Sequence, residues 1–297
     1  MIAKFPLFSK LSIEHMPMVD TIVSEFEPYS DFNFTSLFCW NMDESTQISD
    51  LNGNLVIKFP DYLTGKTTYS VLGKKNLDDT LETMMSRTDE LRLIPEVVVN
   101  NLKNKERYDI TLDSDSHDYI YSLQDHASLT GQKFREKRKK VNRFAVRHEG
   151  KFVIREINLR DKKAKTQILQ AFDSWAGAKS KTTDEISNER IAVTKLVANA
   201  SSFDLLVLTI ELEGKICGFS IHEPVSEDYA ICHFHKTISS YPNIDVFLTS
   251  QAAQDLVKRG YKYVNWEQDL GISGLRESKQ SYKPIKLLKK YIIRKKY

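Results

Sequence analysis

Apolar and polar residues along the second half of the chain follow two distinct rhythms, one of strands and one of helices. "KFVIREI" (151–157) is β-branched and aromatic, which predicts a strand. Ala164, Ile168, Phe172 and Trp175 recur three or four apart and predict a helix over 161–178. Val193, Leu196, Val197 and Ala200 do the same over 184–200. "FDLLVLTIELEGKICGFSIHEP" reads as two strands joined by a hairpin turn at Glu213-Gly214, and "DYAICHFHKTI" (228–238) as a third strand. Leu248, Ala252 and Leu256 align on a helix over 243–259, with Lys258-Arg259 in its last turn and Gly260 as its stop. "YKYVNW" (261–266) is a strand, 273–282 a short helix, and "KLLKKYIIRK" (286–295) a final strand.

This order places a helix between strand 228–238 and strand 261–266, so the two are expected to be parallel with a right-handed crossover. Ligands in such folds sit beyond the carboxyl ends of the parallel strands. Those ends carry His233, His235 and Lys236 on one strand, and Trp266, Glu267 and Asp269 after the other. In the first half, 12–26 and 30–41 read as helices, "NLVIKFPDYL" and "TTYSVLG" as strands, 77–88 as a helix and "YDITLD" as a strand. That sequence of elements is compatible with a second copy of the same topology, although no repeat is visible at the level of sequence identity.

Composition adds class and charge. The chain has 297 residues, 41% hydrophobic and 28% charged, enough for a sizeable core. No apolar window is long enough to span a bilayer, and the N-terminus lacks the apolar region of a secretory signal. Three widely spaced cysteines (Cys39, Cys217, Cys232) argue against a disulfide framework or zinc ribbon and suggest a reducing cytoplasm. Residues 1–130 carry 11 basic and 21 acidic side chains, a net of −10, whereas 131–297 carry 32 and 19, a net of +13. The second half therefore faces something anionic, or docks on the acidic half. Its sharpest basic feature is "LTGQKFREKRKKVNRFAVRHEG" (129–150), read as a helix over 133–147 with Phe134, Val141 and Phe144 as a thin apolar edge. Lys133, Lys137, Arg138 and Lys140 are its candidates for nucleic-acid phosphate contact; the alternative is an interdomain brace. A domain boundary is expected there, giving 1–128 and 129–297.

The densest chemistry lies in "NWEQDLGISGLRESKQSYKP" (265–284). Glu267 and Asp269 are placed to hold an ammonium group or accept a proton, or else to cap the following helix or pair with its lysines. Arg276 and Lys279 fall on one helical face and form a candidate anion site, with Tyr282 adjoining on the substrate side; Ser273 reads as the N-cap, and the alternative is a solvated face. His233 and His235 read as a buried, hydrogen-bonded pair, with His235 the candidate for acid–base work and no third ligand for a metal.

The same segment, extended to "NWEQDLGISGLRESKQSYKPIKLLKKY", together with "FNFTSLFCWN" and "LTGQKFREKRKKVNRF", resembles the phosphatidylglycerol lysyltransferase C-terminal domain family (DUF2156-like) over roughly residues 10–292. The resemblance implies an α/β fold of two tandem GNAT-like (acyl-CoA N-acyltransferase-like) domains, each a mixed sheet flanked by helices. It further implies an aminoacyltransferase that moves an aminoacyl group from aminoacyl-tRNA to an amine or hydroxyl acceptor, a phospholipid at a membrane surface among them. The membrane-bound lysyltransferases carry a long transmembrane portion ahead of this domain, and this chain shows none. Acyl-CoA-dependent GNAT enzymes hold pyrophosphate with a glycine-rich turn; here that position reads "KTISSYPNID", so coenzyme A is disfavoured as donor. The alternatives are an acyl-CoA-dependent N-acyltransferase and a non-catalytic binding module for RNA or a small amino compound.

Overall fold

The structure is a computed structural model that describes residues 1–60, 65–178 and 183–296. In chain order the first half runs β1 (Ser9–Lys10), α1 (Met16–Val23), α2 (Phe34–Cys39), β2 (Gln47–Leu51), β3 (Asn54–Pro60), β4 (Thr67–Leu72), α3 (Leu77–Met85), β5 (Glu90–Pro95), α4 (Glu96–Asn101), β6 (Tyr108–Leu112) and β7 (Asp118–Ser122). There follow α5 (Leu123–Ser128), α6 (Arg135–Arg147), β8 (Phe152–Ile157), α7 (Lys162–Gly177), α8 (Thr183–Ala198), β9 (Leu206–Leu212), β10 (Lys215–Pro224) and β11 (Tyr229–Thr237). The chain ends with α9 (Ile244–Lys258), β12 (Tyr263–Asn265), α10 (Ser273–Ser281), β13 (Lys286–Leu288) and β14 (Lys290–Lys295). The fold is mixed α/β. Among the described residues no helix is long and apolar enough to cross a membrane.

Two compact units divide these elements. Unit 1 comprises Met1–Tyr119, Gln268–Arg276 and Leu287–Tyr297; unit 2 comprises Ile120–Glu267 and Glu277–Lys286. Residues 120–128, expected in the first domain, thus belong to unit 2, and both units are discontinuous in sequence. The order β1-α1-α2-β2-β3-β4-α3-β5-α4-β6 recurs, element for element, as β8-α7-α8-β9-β10-β11-α9-β12-α10-β13. This is the GNAT-like order expected for both halves. Each copy is completed by one further strand: β14 lies between β5 and β6, and β7 between β12 and β13.

Unit 1 packs α3, α4 and its strands around Val56, Val71, Leu81, Met84, Ile94 and Ile293, all fully out of solvent. Its α2 is capped by Asn33, whose side chain accepts from Ser36 N–H at 2.8 Å. The strand expected over "NLVIKFPDYL" runs to Pro60; the remainder lies outside the described residues. "KLLKKYIIRK" is two strands in different sheets, not one, because Lys290–Lys295 is hydrogen-bonded on both sides, antiparallel to β5 and to β6. A partner on each edge outweighs the continuity of the apolar run.

Unit 2 is built on the sheet β13-β7-β12-β11-β10-β9-β8. Glu213 (φ 51°) and Gly214 (φ 76°) both adopt left-handed backbone, as a two-residue type I′ hairpin turn requires. Asp161 caps α7 by accepting from Lys163 N–H at 3.1 Å, and α7 buries Ala164, Ile168, Phe172 and Trp175 as its spacing predicts. The basic helix α6 turns Phe144 into a cluster with Ile210, Phe247 and Leu248. Parallel pairing of β11 with β12 is present, in the register Tyr229↔Tyr263, Ala230↔Val264, Ile231↔Asn265.

Candidate active site

The β11–β12 ladder stops at Ile231↔Asn265, while β11 stays paired with β10 as far as Thr237. Backbone pairing between the two parallel strands therefore ends at those residues, and the groups just beyond them stand at the carboxyl ends where ligands of such sheets sit. Two residues past the last pair stand His233 on one side and Glu267 on the other, with Nδ1 and Oε1 3.6 Å apart. On its other ring nitrogen, Nε2, His233 donates to Glu223 Oε2 of β10 at 2.9 Å. Only 2% of the His233 side chain is exposed, against 21% for Glu267. Burial disfavours the charged imidazole, but the hydrogen bond to Glu223 and the charges of Glu223 and Glu267 outweigh it and push the His233 pKa up to about 9. His233 is therefore an imidazolium at neutral pH.

The backbone of Glu267 is fixed on both sides. Its φ is +55°, its N–H donates to the Asn265 side chain at 2.6 Å, and its carbonyl accepts from Lys279 Nζ at 3.0 Å. Lys279 Nζ also donates to the Trp266 carbonyl. Lys279 was expected to meet an anion; it is buried, and its ammonium caps the strand end as an inward brace. Its own carbonyl accepts from Tyr121 Oη at 2.9 Å. Tyr282 is likewise interior: its ring packs on Trp266 (centroids 4.9 Å) and His126 (5.6 Å), Lys137 Nζ lies 3.2 Å above it, and burial pushes its phenol pKa up.

His235, the acid–base candidate, is half-buried on β11. Its Nδ1 lies 3.2 Å from Ser220 Oγ and its Nε2 is buried with no hydrogen-bond partner. Burial lowers its pKa to about 4, so at neutral pH it is uncharged. His222 on β10 is neutral for the same reason, lowered to about 3 by burial and by the two neighbouring histidines. Cys232, between these groups, is held as a thiol by burial, its pKa raised to about 12.

Asp269 and Arg276 belong to unit 1, where they are bound to each other. Arg276 Nε donates to Asp269 Oδ2 and Nη2 to Oδ1, both at 2.8 Å, and Nη2 also meets Asp115 at 2.6 Å. Tyr119 Oη (2.6 Å) and Gly271 N–H (2.9 Å) complete the shell of Asp269, whose side chain is fully buried. Burial alone would raise the Asp269 pKa; the Arg276 and Tyr119 hydrogen bonds more than offset it and hold it below the usual carboxylate value. This is a bidentate structural clamp. Arg276→Ala, which leaves Asp269 buried with Tyr119 and one amide, is expected to lower stability by about 1–3 kcal/mol, read as a drop in the urea midpoint. Ser273, expected as the N-cap of α10, is its first helical residue.

Of the four phosphate candidates on the basic segment, three have internal partners. Lys133 pairs with Asp125 at 2.6 Å, Lys137 donates to Ser281 Oγ at 2.8 Å, and Arg138 donates to the carbonyls of Leu129 and Gly131. Lys140 is exposed, as are Arg143 and Arg147. Those two arginines line a surface depression of about 570 Å³ with Asn142, Val146, Pro242 and Asn243, beside the start of α9. A second depression, of about 390 Å³, is lined by residues 156–160, 200 and 203–205 and holds none of the candidate groups.

Residues 24–294 match the family described as phosphatidylglycerol lysyltransferase, C-terminal. The chain belongs to this family. No curated protein matches it. A conserved protein of unknown function from Bacteroides thetaiotaomicron is similar in structure (25% identity, TM-score 0.85, all of both chains covered). The C-terminal domain (DUF2156) of a protein assigned as a lysylphosphatidylglycerol synthetase from Agrobacterium fabrum shares the fold (13% identity, TM-score 0.65, 96% of this chain and 92% of that one). A GCN5-related N-acetyltransferase from Kribbella flavida aligns at 11% identity and TM-score 0.42, over 92% of this chain and 97% of that one. Membership in a lysyltransferase family supports acyltransferase chemistry.

Sequence reasoning missed Glu223 as a site residue and took His233 only as a buried partner of His235. The alternation expected of β11 would put His233 and His235 on one face; instead His233 is left unpaired between Cys232 and Phe234, so His235 lies with Ser220 and His233 with Glu223 on the opposite face. The pairing of His233 with Glu223 depends on the register shift between Ile221 and His222 of β10, which no sequence pattern announces.

Proposed function

We propose that the chain is an aminoacyltransferase that takes its aminoacyl group from aminoacyl-tRNA and delivers it to an amine or hydroxyl acceptor, with the reaction where the pairing of β11 and β12 ends, in unit 2. The observation that carries this reading is Glu267, a partly exposed carboxylate set rigidly just past the last pair of two parallel strands. The ester of an aminoacyl-tRNA is already activated, so a neutral acceptor attacks its carbonyl directly. The new bond to the acceptor forms, the bond to the ribose oxygen breaks, and the acceptor's proton ends on that departing oxygen. Glu267 meets the donor's ammonium group. Family membership makes a phospholipid such as phosphatidylglycerol the first acceptor to test.

The start of α9 supports this donor over coenzyme A. The residues leading into that helix contain no glycine, and Asp245 occupies its first turn. A pyrophosphate there meets a carboxylate in place of open amides. The exposed cations of α6 suit an RNA backbone. With Arg143→Ala/Arg147→Ala, the salt dependence of tRNA binding is expected to flatten by about 2 in log–log slope, near 0.9 per lost phosphate contact. Filter binding between low and moderate salt reads this directly.

The function itself is tested with a mixed pool of charged tRNAs and phosphatidylglycerol vesicles, following labelled amino acid from RNA to lipid or to another acceptor in cell extract. Transfer supports the proposal. Thermal stabilisation by coenzyme A without any tRNA response favours an acyl-CoA enzyme, and salt-sensitive RNA binding without turnover favours a binding module.

A further inference from the structure

The last ladder pair of the parallel strands is Ile231↔Asn265, and the next position in the same register, two residues on, is His233 opposite Glu267. Where backbone pairing ends, an ion pair takes its place. His233 is buried, and both its ring nitrogens face carboxylates: Nε2 at 2.9 Å from Glu223 and Nδ1 at 3.6 Å from Glu267. A buried charge is tolerated only when fixed partners compensate it, so His233 has one orientation available. Glu223 is itself buried in the middle of the sheet, on β10, and anchors the arrangement from behind.

We propose that His233 is a positioning residue: clamped by Glu223, it sets the Glu267 carboxylate at the strand end and so shapes the receptor for the donor's ammonium group. This rests on the transferase reading above and adds to it the device that orients Glu267. The Glu223–His233 pair makes no contact with substrate in this account; it acts through Glu267. Other titratable groups packed around His233 leave its charge decisive. His222 on β10 and His235 further along β11 are neutral, the Cys232 thiol keeps its proton, and the Lys279 ammonium is committed to the carbonyls of Trp266 and Glu267.

The pair sets a pH limit. The folded-state pKa of His233 is raised to about 9, so its charge is present at neutral pH and is lost as pH rises through that value. Transfer should then fall on the alkaline side. Glu223→Gln removes the strongest support for the charge and should bring the midpoint back toward the usual histidine range.

The test combines imidazole nitrogen NMR of the full chain across pH 5–10 with the pH profile of kcat/KM for transfer from the charged-tRNA pool. The expected result is a His233 midpoint near 9 in the wild type that coincides with the alkaline limb of activity. In Glu223→Gln both should fall together by at least about one pH unit, so that activity at pH 8 drops by at least about twofold and recovers at pH 6. A structural defect alone would lower activity at every pH. If Glu223→Gln does not fold, coincidence of the two midpoints in the wild type decides. A His233 that is neutral at pH 7, or an NMR midpoint that moves without the activity limb, overturns the positioning role and leaves the transferase reading standing. Absence of transfer from every aminoacyl-tRNA at every pH overturns both.

Discussion

Glu267→Gln is expected to lower aminoacyl transfer by at least about a hundredfold, with only a modest stability loss of about 1 kcal/mol from the charge partner that buried His233 loses. The substitution keeps the size of the side chain and the left-handed backbone that Asn265 and Lys279 hold in place. It removes only the charge. Beside the buried His233, where Glu267 is itself only partly exposed, an ammonium that loses its carboxylate loses an interaction stronger than the same pair in water. The charged His233 would then face a neutral amide, so its pKa should fall as well, which NMR reads independently of activity. A variant that transfers at the wild-type rate would place the chemistry elsewhere.

Lys290→Met is expected to destabilise unit 1 by about 3–5 kcal/mol, the usual loss when one member of a buried ion cluster is deleted. Lys290 is completely buried, and its ammonium pairs with Asp31 and, at 2.8 Å, with Asp118, whose side chain is also completely buried. Asp118 in turn accepts from the Ser30 amide at 2.7 Å and its hydroxyl at 2.6 Å. The Lys290 amide donates to His117 Nδ1 at 3.1 Å, a neutral acceptor because burial and the Lys290 charge both lower the His117 pKa. Methionine fills similar volume but leaves two carboxylates without their cation. Burial opposes the charge on Lys290, yet Asp118 and Asp31 raise its pKa above the ordinary lysine value. Its contribution to stability is therefore full at neutral pH and is lost only as pH climbs through that raised value. Urea unfolding with an unchanged slope and a lower midpoint would carry the prediction; a loss under about 1 kcal/mol would contradict it.

Much of unit 2 was legible in its sequence because its elements are amphipathic and well punctuated. The turn at Glu213-Gly214, the buried faces of α7 and α9, and the parallel partnership of β11 and β12 all follow from spacing alone. Unit 1 was harder. The polar "QISDL" conceals β2, and α4 contains Val97-Val98-Val99, residues whose preference for strands is overruled by packing of Val98 and Val99 into the core. The placement of β7 between β12 and β13, and of β14 between β5 and β6, depends on pairings across long sequence separations that local pattern does not encode.

The site shows the same division. Charge density in 265–284 marked a segment that is strongly constrained, and helical spacing put Arg276 and Lys279 three residues apart. What each side chain meets was not readable: Arg276 clasps Asp269 and Asp115, and Lys279 braces two carbonyls. A run of cations looks the same in sequence whether it binds a ligand or its own backbone. Only Glu267 in that segment pairs a strand-end position in unit 2 with partial exposure and a charged partner in the sheet.

The most direct measurement of the central claim is a crystal structure with an aminoacyl-adenosine analogue carrying an amide in place of the ester. The account predicts the ligand's ammonium within hydrogen-bond distance, about 3 Å, of the Glu267 carboxylate, where the pairing of β11 and β12 ends. An analogue bound away from those strand ends, with Glu267 untouched, would contradict it.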